Sequence, residues 1–234
     1  MTTVRHVEVV VPARNEQAHI AACLGSLRSS ITVLNTENPS VSVGITVVLN
    51  SCTDDTLDIV SEFGVRVLTS EADSVGAVRQ FGTADAIHRA HQAGVEPAEL
   101  WIACTDADTV VPDGWLHKQI EFADTGIDAV IGTVTPGDVS PEIYESWLRH
   151  HDLTEGHDHV HGANLGFRAD IYLRAGGFRD AESREDVGLV ERIRALTARW
   201  VATHQTSVLT SGRTESRVEG GFGTYIAALE AEAT

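Results

Sequence analysis

Short apolar runs alternate with helical patterns along the first half of the chain, and few folds accommodate this alternation. The runs Val7–Val11, Val43–Leu49 and Leu100–Cys104 are almost wholly apolar. Between them, apolar residues recur every three or four positions, as from Ile20 to Ile31 and from Val78 to Ile87. Strands that are apolar on both faces are typical of a parallel sheet flanked by helices. The pattern predicts an α/β fold with a doubly wound, mostly parallel sheet and helices on both faces.

The composition is that of an acidic globular protein. The 234 residues include 17 Lys and Arg against 34 Asp and Glu, a formal net charge of −17, and 42% are hydrophobic. This is too apolar for intrinsic disorder and too acidic for a nucleic-acid backbone as the main partner. No apolar run reaches the roughly 18 residues that span a bilayer, and the three cysteines lack metal-site spacing. We expect one cytoplasmic domain over residues 1–234, without an integral membrane segment.

Polar clusters follow three of the predicted strands directly. They are the segments 12–16, 50–55 and 106–108. Because the carboxyl ends of parallel strands lie along one edge of a sheet, we expect these clusters to share a binding site. Asp106 and Asp108 could both bind one hard cation, which would neutralise a diphosphate. Their alternative role is to cap the helix that is predicted near Pro112.

The clusters also match a known family in order along most of the chain. The matching motifs are Val10-Val11-Pro12-Ala13-Arg14-Asn15-Glu16, Asn50-Ser51-Cys52-Thr53-Asp54-Asp55-Thr56, Gly76-Ala77-Val78-Arg79-Gln80-Phe81-Gly82, Asp106-Ala107-Asp108, Gly162-Ala163-Asn164, Gly176-Gly177-Phe178 and Glu185-Asp186. In these motifs the sequence resembles family 2 glycosyltransferases of the GT-A fold. The resemblance implies transfer of a sugar from a nucleotide-diphosphate sugar to a hydroxyl acceptor, inverting and metal-dependent.

The resemblance also implies roles for individual residues. The nucleotide-sugar would be bound by Pro12, Ala13, Asn15, Glu16, Asn50, Arg79 and Asp106. The donor-sugar and acceptor region would be formed by Gly162, Ala163, Asn164 and Glu185. Asp108, with Asp106, would hold Mn²⁺ or Mg²⁺, His204 would be a third metal ligand, and Asp186 would be the catalytic base. Plainer roles stay open for several of these residues: helix caps for Asn15 and Asp186, a turn for Asn164 and an exposed helix cation for Arg79.

One motif departs from the family pattern. Many members have Asp-Asp-Gly-Ser after the second strand, where this chain has Leu49-Asn50-Ser51-Cys52. An aspartate there accepts a hydrogen bond from a base N–H, whereas the Asn50 amide can both accept and donate. A UDP donor is therefore less strongly implied, and GDP or another nucleotide stays open.

After about residue 135 the pattern of strands and helices changes. We expect residues 1–135 to form a nucleotide-binding half and residues 136–234 an acceptor-binding half. Five histidines crowd the polar segment 150–161, namely His150, His151, His157, His159 and His161. They could bind zinc, but their spacing matches no familiar zinc signature, and we favour a solvated, pH-sensitive loop.

Farther along, Ser211-Gly212-Arg213, Arg217 and Gly220-Gly221-Phe222-Gly223 resemble a C-terminal flap with an arginine for the diphosphate. Two alternatives to glycosyl transfer stay open. A nucleotidyltransferase would use a similar sheet and acidic metal ligands. A non-catalytic nucleotide-sugar-binding module would need no base. The expected partners are a nucleotide-sugar donor and a small-molecule or carrier acceptor.

Overall fold

The computed structural model describes residues 2–151, 153–180, 184–213 and 222–233. The strands are β1 (His6–Ala13), β2 (Ser42–Asn50), β3 (Arg66–Ser70), β4 (Leu100–Cys104), β5 (Thr109–Val110), β6 (Ala129–Gly137), β7 (Leu165–Arg168) and β8 (Trp200–Ser211). The helices are α1 (Ile20–Glu37), α2 (Thr56–Ser61), α3 (Val75–Gln92), α4 (Trp115–Asp124), α5 (Pro141–His150), α6 (Ala169–Arg174), α7 (Glu185–Leu196) and α8 (Phe222–Ala233). Arg217 and Gly220-Gly221 of the expected flap lie outside the described residues.

The eight strands form one sheet in the order β3-β2-β1-β4-β7-β6-β8-β5. The four strands β3, β2, β1 and β4 are parallel, and β6 and β8 are parallel to each other. Strand β7 is antiparallel to both of its neighbours, and β5 is antiparallel to β8. The predicted α/β fold with a mostly parallel sheet is therefore confirmed.

Helices cover both faces of the sheet, and the alternation of side chains along β1 shows how. Val7, Val9 and Val11 belong to a core shared with α1, α2 and α4. Val10, on the opposite face, belongs to a second core shared with α3, α6 and α7. Both faces of β1 are thus buried, as expected for a parallel strand between two helical layers.

Local signals start two of the helices. The Ser74 hydroxyl accepts a hydrogen bond from the backbone N–H of Ala77 at the first turn of α3, and Ser140 does the same before α5. Such caps satisfy backbone donors that have no partner within the helix. In the part of the chain that the model describes, no helix is both long and apolar enough to cross a membrane.

The second half differs in detail from the sequence-based expectation. His150 ends helix α5 and does not lie in a loop, although residues 153–161 contain no helix or strand. Strand β7 inserts between β4 and β6, and the long strand β8 completes the sheet. A small third core joins α5 to α8 through Ile143, Trp147, Ile226 and Leu229.

Candidate active site

A cavity of about 600 Å³ opens at the carboxyl ends of the parallel strands. Pro12 and Ala13 at the end of β1, Asn50 at the end of β2 and Asp106 after β4 all line it. This is the edge where open α/β sheets bind their ligands, because the strand ends leave a crevice there. The three polar clusters of the sequence thus converge on one site.

Asp106 and Asp108 reach the cavity from the turn between β4 and β5. The carboxylate of Asp106 accepts a hydrogen bond from the guanidinium of Arg79. Asp108 Oδ2 lies 3.0 Å from Arg213 Nη2, and its Oδ1 accepts a longer bond, 3.4 Å, from the Thr210 hydroxyl. Each aspartate is therefore held by an arginine from a different part of the chain.

Asp108 ionises with difficulty. Burial, together with the nearby negative charge of Asp106, raises the pKa of Asp108 to about 6. Only 13% of its side chain is exposed, so the carboxylate has little water to stabilise its charge. A bound cation would remove this penalty, which makes the position suitable for a metal.

Arg79 forms ion pairs with two acidic residues of the cavity. Its guanidinium, 4% exposed, contacts Asp106 and Glu185. Although burial opposes its charge, these two carboxylates raise the pKa of Arg79 above its ordinary value. Burial also raises the pKa of Glu185, and Arg79 partly offsets this. Gly162 packs against the same guanidinium, and a Cβ there would lie 2.6 Å from Arg79 Cζ, so a larger residue would push the guanidinium against its two carboxylates.

Asp186 lies in the first turn of α7 and also lines the cavity. Its Oδ2 accepts a hydrogen bond of 2.7 Å from the backbone N–H of Gly162, and its Oδ1 one of 2.7 Å from that of Val187. These two bonds fix the direction of the carboxylate. Arg184, the residue just before α7, has a left-handed backbone conformation with φ 61°, which is uncommon outside glycine. The start of α7 is therefore held in a specific geometry.

Glu16 and Arg213 close the site from opposite ends of the sequence. Arg213 donates two hydrogen bonds to the Glu16 carboxylate, at 2.8 and 2.7 Å. Glu16 is 5% exposed, so this two-point ion pair is largely shielded from water. Of the two arginines in the expected C-terminal flap, Arg213 therefore lines the cavity, and Arg217 lies outside the described residues.

Asn50 lines the cavity with an amide whose orientation is fixed. Its Nδ2 donates to the carbonyl of Ala72 at 2.9 Å, which fixes the orientation of the amide because a carbonyl can only accept. Asn50 Oδ1 is buried, and among the described residues none donates a hydrogen bond to it. The amide therefore offers an acceptor, as an aspartate would.

Three of the five histidines of segment 150–161 form a packed group. We call His151, His159 and His161 the histidine cluster; one ring nitrogen of each lies within 4.8 Å of the others. His151 and His161 line the cavity. Burial lowers the pKa of His151 and lowers that of His161 to about 3. The expected solvated loop is thus a partly buried cluster, and of the five histidines only His150 is exposed.

Most of the predicted site residues come together in this cavity. Those that line it are Pro12, Ala13, Glu16, Asn50, Arg79, Asp106, Asp108, Gly162, Ala163, Glu185 and Asp186. Asn15 is not among these lining residues. It has a left-handed conformation, φ 53°, and its Oδ1 accepts a hydrogen bond of 2.7 Å from the Thr53 backbone N–H. It therefore shapes the loop after β1.

The structure does not bring Asn164 to the cavity. Its side chain is buried, accepts a bond of 2.9 Å from the Trp115 indole and donates 2.7 Å bonds to the carbonyls of Thr133 and Thr206. All of these contacts are internal, so Asn164 joins β6, β8 and α4 and does not face a ligand.

The structure does not bring His204 to the two aspartates either. It lies on β8 with a side chain that is 55% exposed, and its Nδ1 is 3.0 Å from Glu155 Oε1. A surface ion pair of this kind contributes little to stability. His204 thus lies outside the cavity that holds Asp106 and Asp108.

Several cavity residues were not assigned to the site from the sequence, among them Thr210, His151 and His161. Thr210 bonds to Asp108 from the end of β8, and His151 and His161 form one wall. The crowding of histidines was the signal for the last two, but only the fold shows which rings meet. Nothing in the local sequence distinguishes Thr210 from other strand threonines.

The charges of the cavity suit a divalent cation. Six carboxylates line it against four arginines, which leaves two negative charges in excess. Asp106 and Asp108 offer the oxygen ligands that Mg²⁺ and Mn²⁺ prefer. A diphosphate entering this cavity would be repelled unless such a cation accompanied it. The residues present therefore fit a divalent metal.

Comparison with known proteins agrees with this geometry. The model of the family "Glycosyl transferase family 2" matches residues 8–173. Among solved structures, the chain resembles S. aureus TarS 1–349 with 16% identity and a TM-score of 0.63, covering 97% of this chain and 65% of that one. No significant match was found among curated protein sequences.

Two further solved structures contain ligands. The Pyrobaculum calidifontis mannosyltransferase PcManGT, in complex with GDP-Man and Mn²⁺, is 18% identical with a TM-score of 0.64, covering 93% of this chain and 59% of that one. The M. tuberculosis glucosyl-3-phosphoglycerate synthase in complex with Mn²⁺, UDP and phosphoglyceric acid is 16% identical, with a TM-score of 0.58 and coverage of 98% and 78%.

At these identities the likeness concerns the fold, and the chain spans about 65% of the length of the TarS chain that it matches. The family model, in contrast, covers well over half of the sequence, from Glu8 in β1 to Leu173 in α6. It includes the strand ends that carry Asn50, Asp106 and Asp108. The chain therefore belongs to glycosyltransferase family 2.

Proposed function

We propose that the protein transfers a sugar from a nucleoside-diphosphate sugar to a hydroxyl acceptor, with inversion and with the aid of a divalent cation. One observation carries the proposal: Asp106, Asp108 and Asp186 line a single cavity although about 80 residues separate Asp186 from the other two. A pair of metal-binding carboxylates and a separate base are the two requirements of such a transfer.

Asp186 is the proposed base. Its carboxylate is fixed by the N–H groups of Gly162 and Val187, so it can hold a constant direction towards an acceptor. The acceptor hydroxyl would give its proton to Asp186 as its oxygen forms a bond to the anomeric carbon. The bond from that carbon to the diphosphate oxygen would break, and its electron pair would leave with the diphosphate.

Asp106 and Asp108 are the proposed ligands of the cation. When bound, a Mn²⁺ or Mg²⁺ ion would offset the negative charge that develops on the departing diphosphate. Arg79 holds Asp106 in place through a buried contact and is a positioning residue in this scheme. Arg213 supplies positive charge beside Asp108.

Asn50 supports a donor whose base carries an N–H group. Its Oδ1 is the available acceptor because Nδ2 is bonded to Ala72. UDP and GDP both carry a ring N–H, so both are the first donors to test, and the asparagine does not count against UDP. The neighbours in complex with UDP and with GDP-Man are consistent with either choice.

The decisive experiment measures thermal unfolding with UDP- and GDP-sugars, each with and without Mn²⁺, followed by product analysis. We expect stabilisation that requires both donor and Mn²⁺, and slow release of nucleoside diphosphate. Conversion of the donor and added pyrophosphate into a nucleoside triphosphate and a sugar phosphate would instead identify a nucleotidyltransferase. Stabilisation by donor without any turnover would favour a binding module.

The proposal also assigns a different role to each half of the chain. Residues 1–135 supply the proposed nucleotide and metal contacts, and residues 136–234 supply the base and the acceptor wall. The acceptor is a hydroxyl compound that enters beside Asp186.

A further inference from the structure

The histidine cluster forms a second group of potential metal ligands on the wall of the cavity. His151 follows the last residue of α5, and His159 and His161 lie on the segment that leads towards β7. One ring nitrogen of each lies within 4.8 Å of the other two. None of these residues belongs to the proposed donor, cation or base contacts.

The tautomer of His151 is fixed by the protein. Its Nδ1 is 3.0 Å from the carbonyl oxygen of Trp147, and since a carbonyl can only accept, Nδ1 carries the proton. The lone pair of the ring therefore lies on Nε2. A histidine that donates one ring N–H to a carbonyl and keeps the other nitrogen for a metal is the usual arrangement of metal-binding histidines.

Aromatic packing holds the same ring in place. The His151 ring stacks on the fully buried Trp147 at a centroid distance of 4.4 Å, and on the His159 ring at 4.7 Å. Tyr225 contacts it edge-on at 5.2 Å. A ring held on three sides loses little further freedom when it binds a ligand, which favours binding.

We infer that His151, His159 and His161 bind one transition-metal ion of the Zn²⁺ class, separate from the cation at Asp106 and Asp108. Three imidazoles suit Zn²⁺, Co²⁺ or Ni²⁺, whereas carboxylates suit Mg²⁺ and Mn²⁺. His151 and His161 are half-buried, so few water molecules compete with them for an ion. The two sites would therefore select different ions.

Binding requires the three nitrogens to move closer and the rings of His159 and His161 to turn, because each lone pair lies in the plane of its ring and the stacked rings are inclined by no more than 28° to one another. Zinc–nitrogen bonds are about 2.0–2.1 Å long, so three nitrogens on a tetrahedral ion lie about 3.3 Å apart. The ring nitrogens would approach one another by at most about 1.5 Å, starting from separations of up to 4.8 Å. Three protein ligands leave a fourth position, and because His151 and His161 line the cavity, that position is available to water or to an oxygen atom of a bound molecule.

The test uses the tag-free chain, stripped of metal, in buffer without any nucleotide sugar. Zn²⁺ is titrated by calorimetry, and Co²⁺ by the visible absorption of a tetrahedral complex. We expect one equivalent of each ion per chain. His151→Ala, His159→Ala and His161→Ala should each weaken Zn²⁺ binding by more than about tenfold, since even supporting residues of metal sites are worth about that much.

His150→Ala is the matched control. His150 is the neighbour of His151, and its Nδ1 also contacts a backbone carbonyl, that of Ser146 at 2.8 Å, but it is not part of the cluster. It should bind Zn²⁺ like the wild type, as should Asp108→Asn. Far-UV circular dichroism and metal-free thermal unfolding show whether each variant is folded. If an alanine variant is not folded, His159→Gln is measured in its place.

Sub-stoichiometric binding in the wild type would overturn the inference. So would Zn²⁺ binding that the three cluster variants leave unchanged, or that His150→Ala or Asp108→Asn weakens as strongly. Because no donor or activity enters these measurements, their outcome is independent of the proposed glycosyl transfer.

Discussion

The two sides of the cavity hold their polar groups by different forces. On the acidic side, formed by Glu16, Asp106 and Asp108, each carboxylate is paired with an arginine from a distant part of the chain. On the other side, the histidine cluster consists of rings stacked on each other and on Trp147.

The difference has consequences for how each side responds to its surroundings. Charge pairs respond to pH, to salt and to any ion that competes for a carboxylate. Stacked rings respond mainly to packing. One cavity thus combines a side that can exchange partners with a side held by packing, and Asp186 is bonded to Gly162, the residue that follows His161 of the cluster.

Loss of the base should have the largest effect. Asp186→Asn keeps an oxygen for the Gly162 N–H but cannot take a proton, so we expect sugar transfer to fall about 10²–10⁴-fold. Mn²⁺-dependent donor binding, which belongs to the acidic side, should be unchanged by calorimetry. Asp113→Asn, an exposed aspartate outside the cavity, is the control. Transfer near the wild-type rate in Asp186→Asn would remove Asp186 from the mechanism.

The acidic side should weaken the fold as pH rises. The native pKa of Asp108, about 6, exceeds its ordinary value of 3.8, so between these values the native chain binds more protons than the unfolded chain. The contribution of Asp108 to stability should therefore fall from about pH 4 to pH 6, by up to about 3 kcal/mol. Urea unfolding of the metal-free wild type and of Asp108→Asn measures this contribution as the change with pH in the difference between their stabilities. Equal slopes of stability against pH in both proteins would contradict the assigned pKa.

The same variant should abolish stabilisation by the donor. At a donor concentration of 100 times Kd with Mn²⁺ present, the wild type should gain about 2.7 kcal/mol. Asp108→Asn should gain almost none of it, because a ligand of the cation is lost. Thermal unfolding with GDP- or UDP-sugar and Mn²⁺ measures both values. A full gain in the variant would mean that the donor does not depend on Asp108.

A methyl group added at Gly162 should test the contact between this residue and Arg79. In Gly162→Ala the new Cβ would lie 2.6 Å from Arg79 Cζ, and we expect a loss of about 1–3 kcal/mol in the free energy of unfolding. Gly25→Ala is the control, since this exposed glycine within α1 has no atom within 4 Å of the added Cβ. It should stabilise by about 0.5–1 kcal/mol. Equal effects would show that Arg79 can move aside.

The smallest effect is expected at His204. His204→Ala removes an exposed imidazole that pairs with Glu155, so the free energy of unfolding should change by no more than about 0.5 kcal/mol. Neither Mn²⁺-dependent donor binding nor Zn²⁺ binding should change. Loss of donor binding would mean that His204 is a metal ligand in a different conformation of β8.

The front of the fold could be predicted because its signals are local. The runs that became β1, β2 and β4 are apolar on both faces, and α1 and α3 show regular helical spacing. Parallel pairing then places Asn50 and Asp106 on the same edge without further information.

The second half gave weaker signals for physical reasons. Strand β7 has only four residues, too few to show a period. Strand β8 mixes buried and exposed residues, and its pairing with β6 is interrupted between Gly132 and Val134. Helix α5 was predictable from Ser140 and Pro141, a good cap followed by a proline suited to the first turn.

The contacts that complete the site depend on tertiary structure. Arg79 meets Glu185 across 106 positions, and Asp186 meets Gly162 across 24. Resemblance to a family could place these residues in one site but could not show which atoms bond. The stacking within the histidine cluster likewise depends on where α5 ends.

Strand β8 has a consequence for how the protein is made. It is the pairing partner of β5, and from it Thr210 and Ser211 bond to the side chain and backbone of Asp108. At a synthesis rate of about 5–20 residues per second, Asp108 leaves the ribosome roughly 5–20 s before these partners exist. Strands β1 to β4 can assemble in that interval, but Asp108, which follows β4, cannot yet form its native hydrogen bonds. A chain released from the ribosome before residue 200 would have most of its sheet but no ordered cation site.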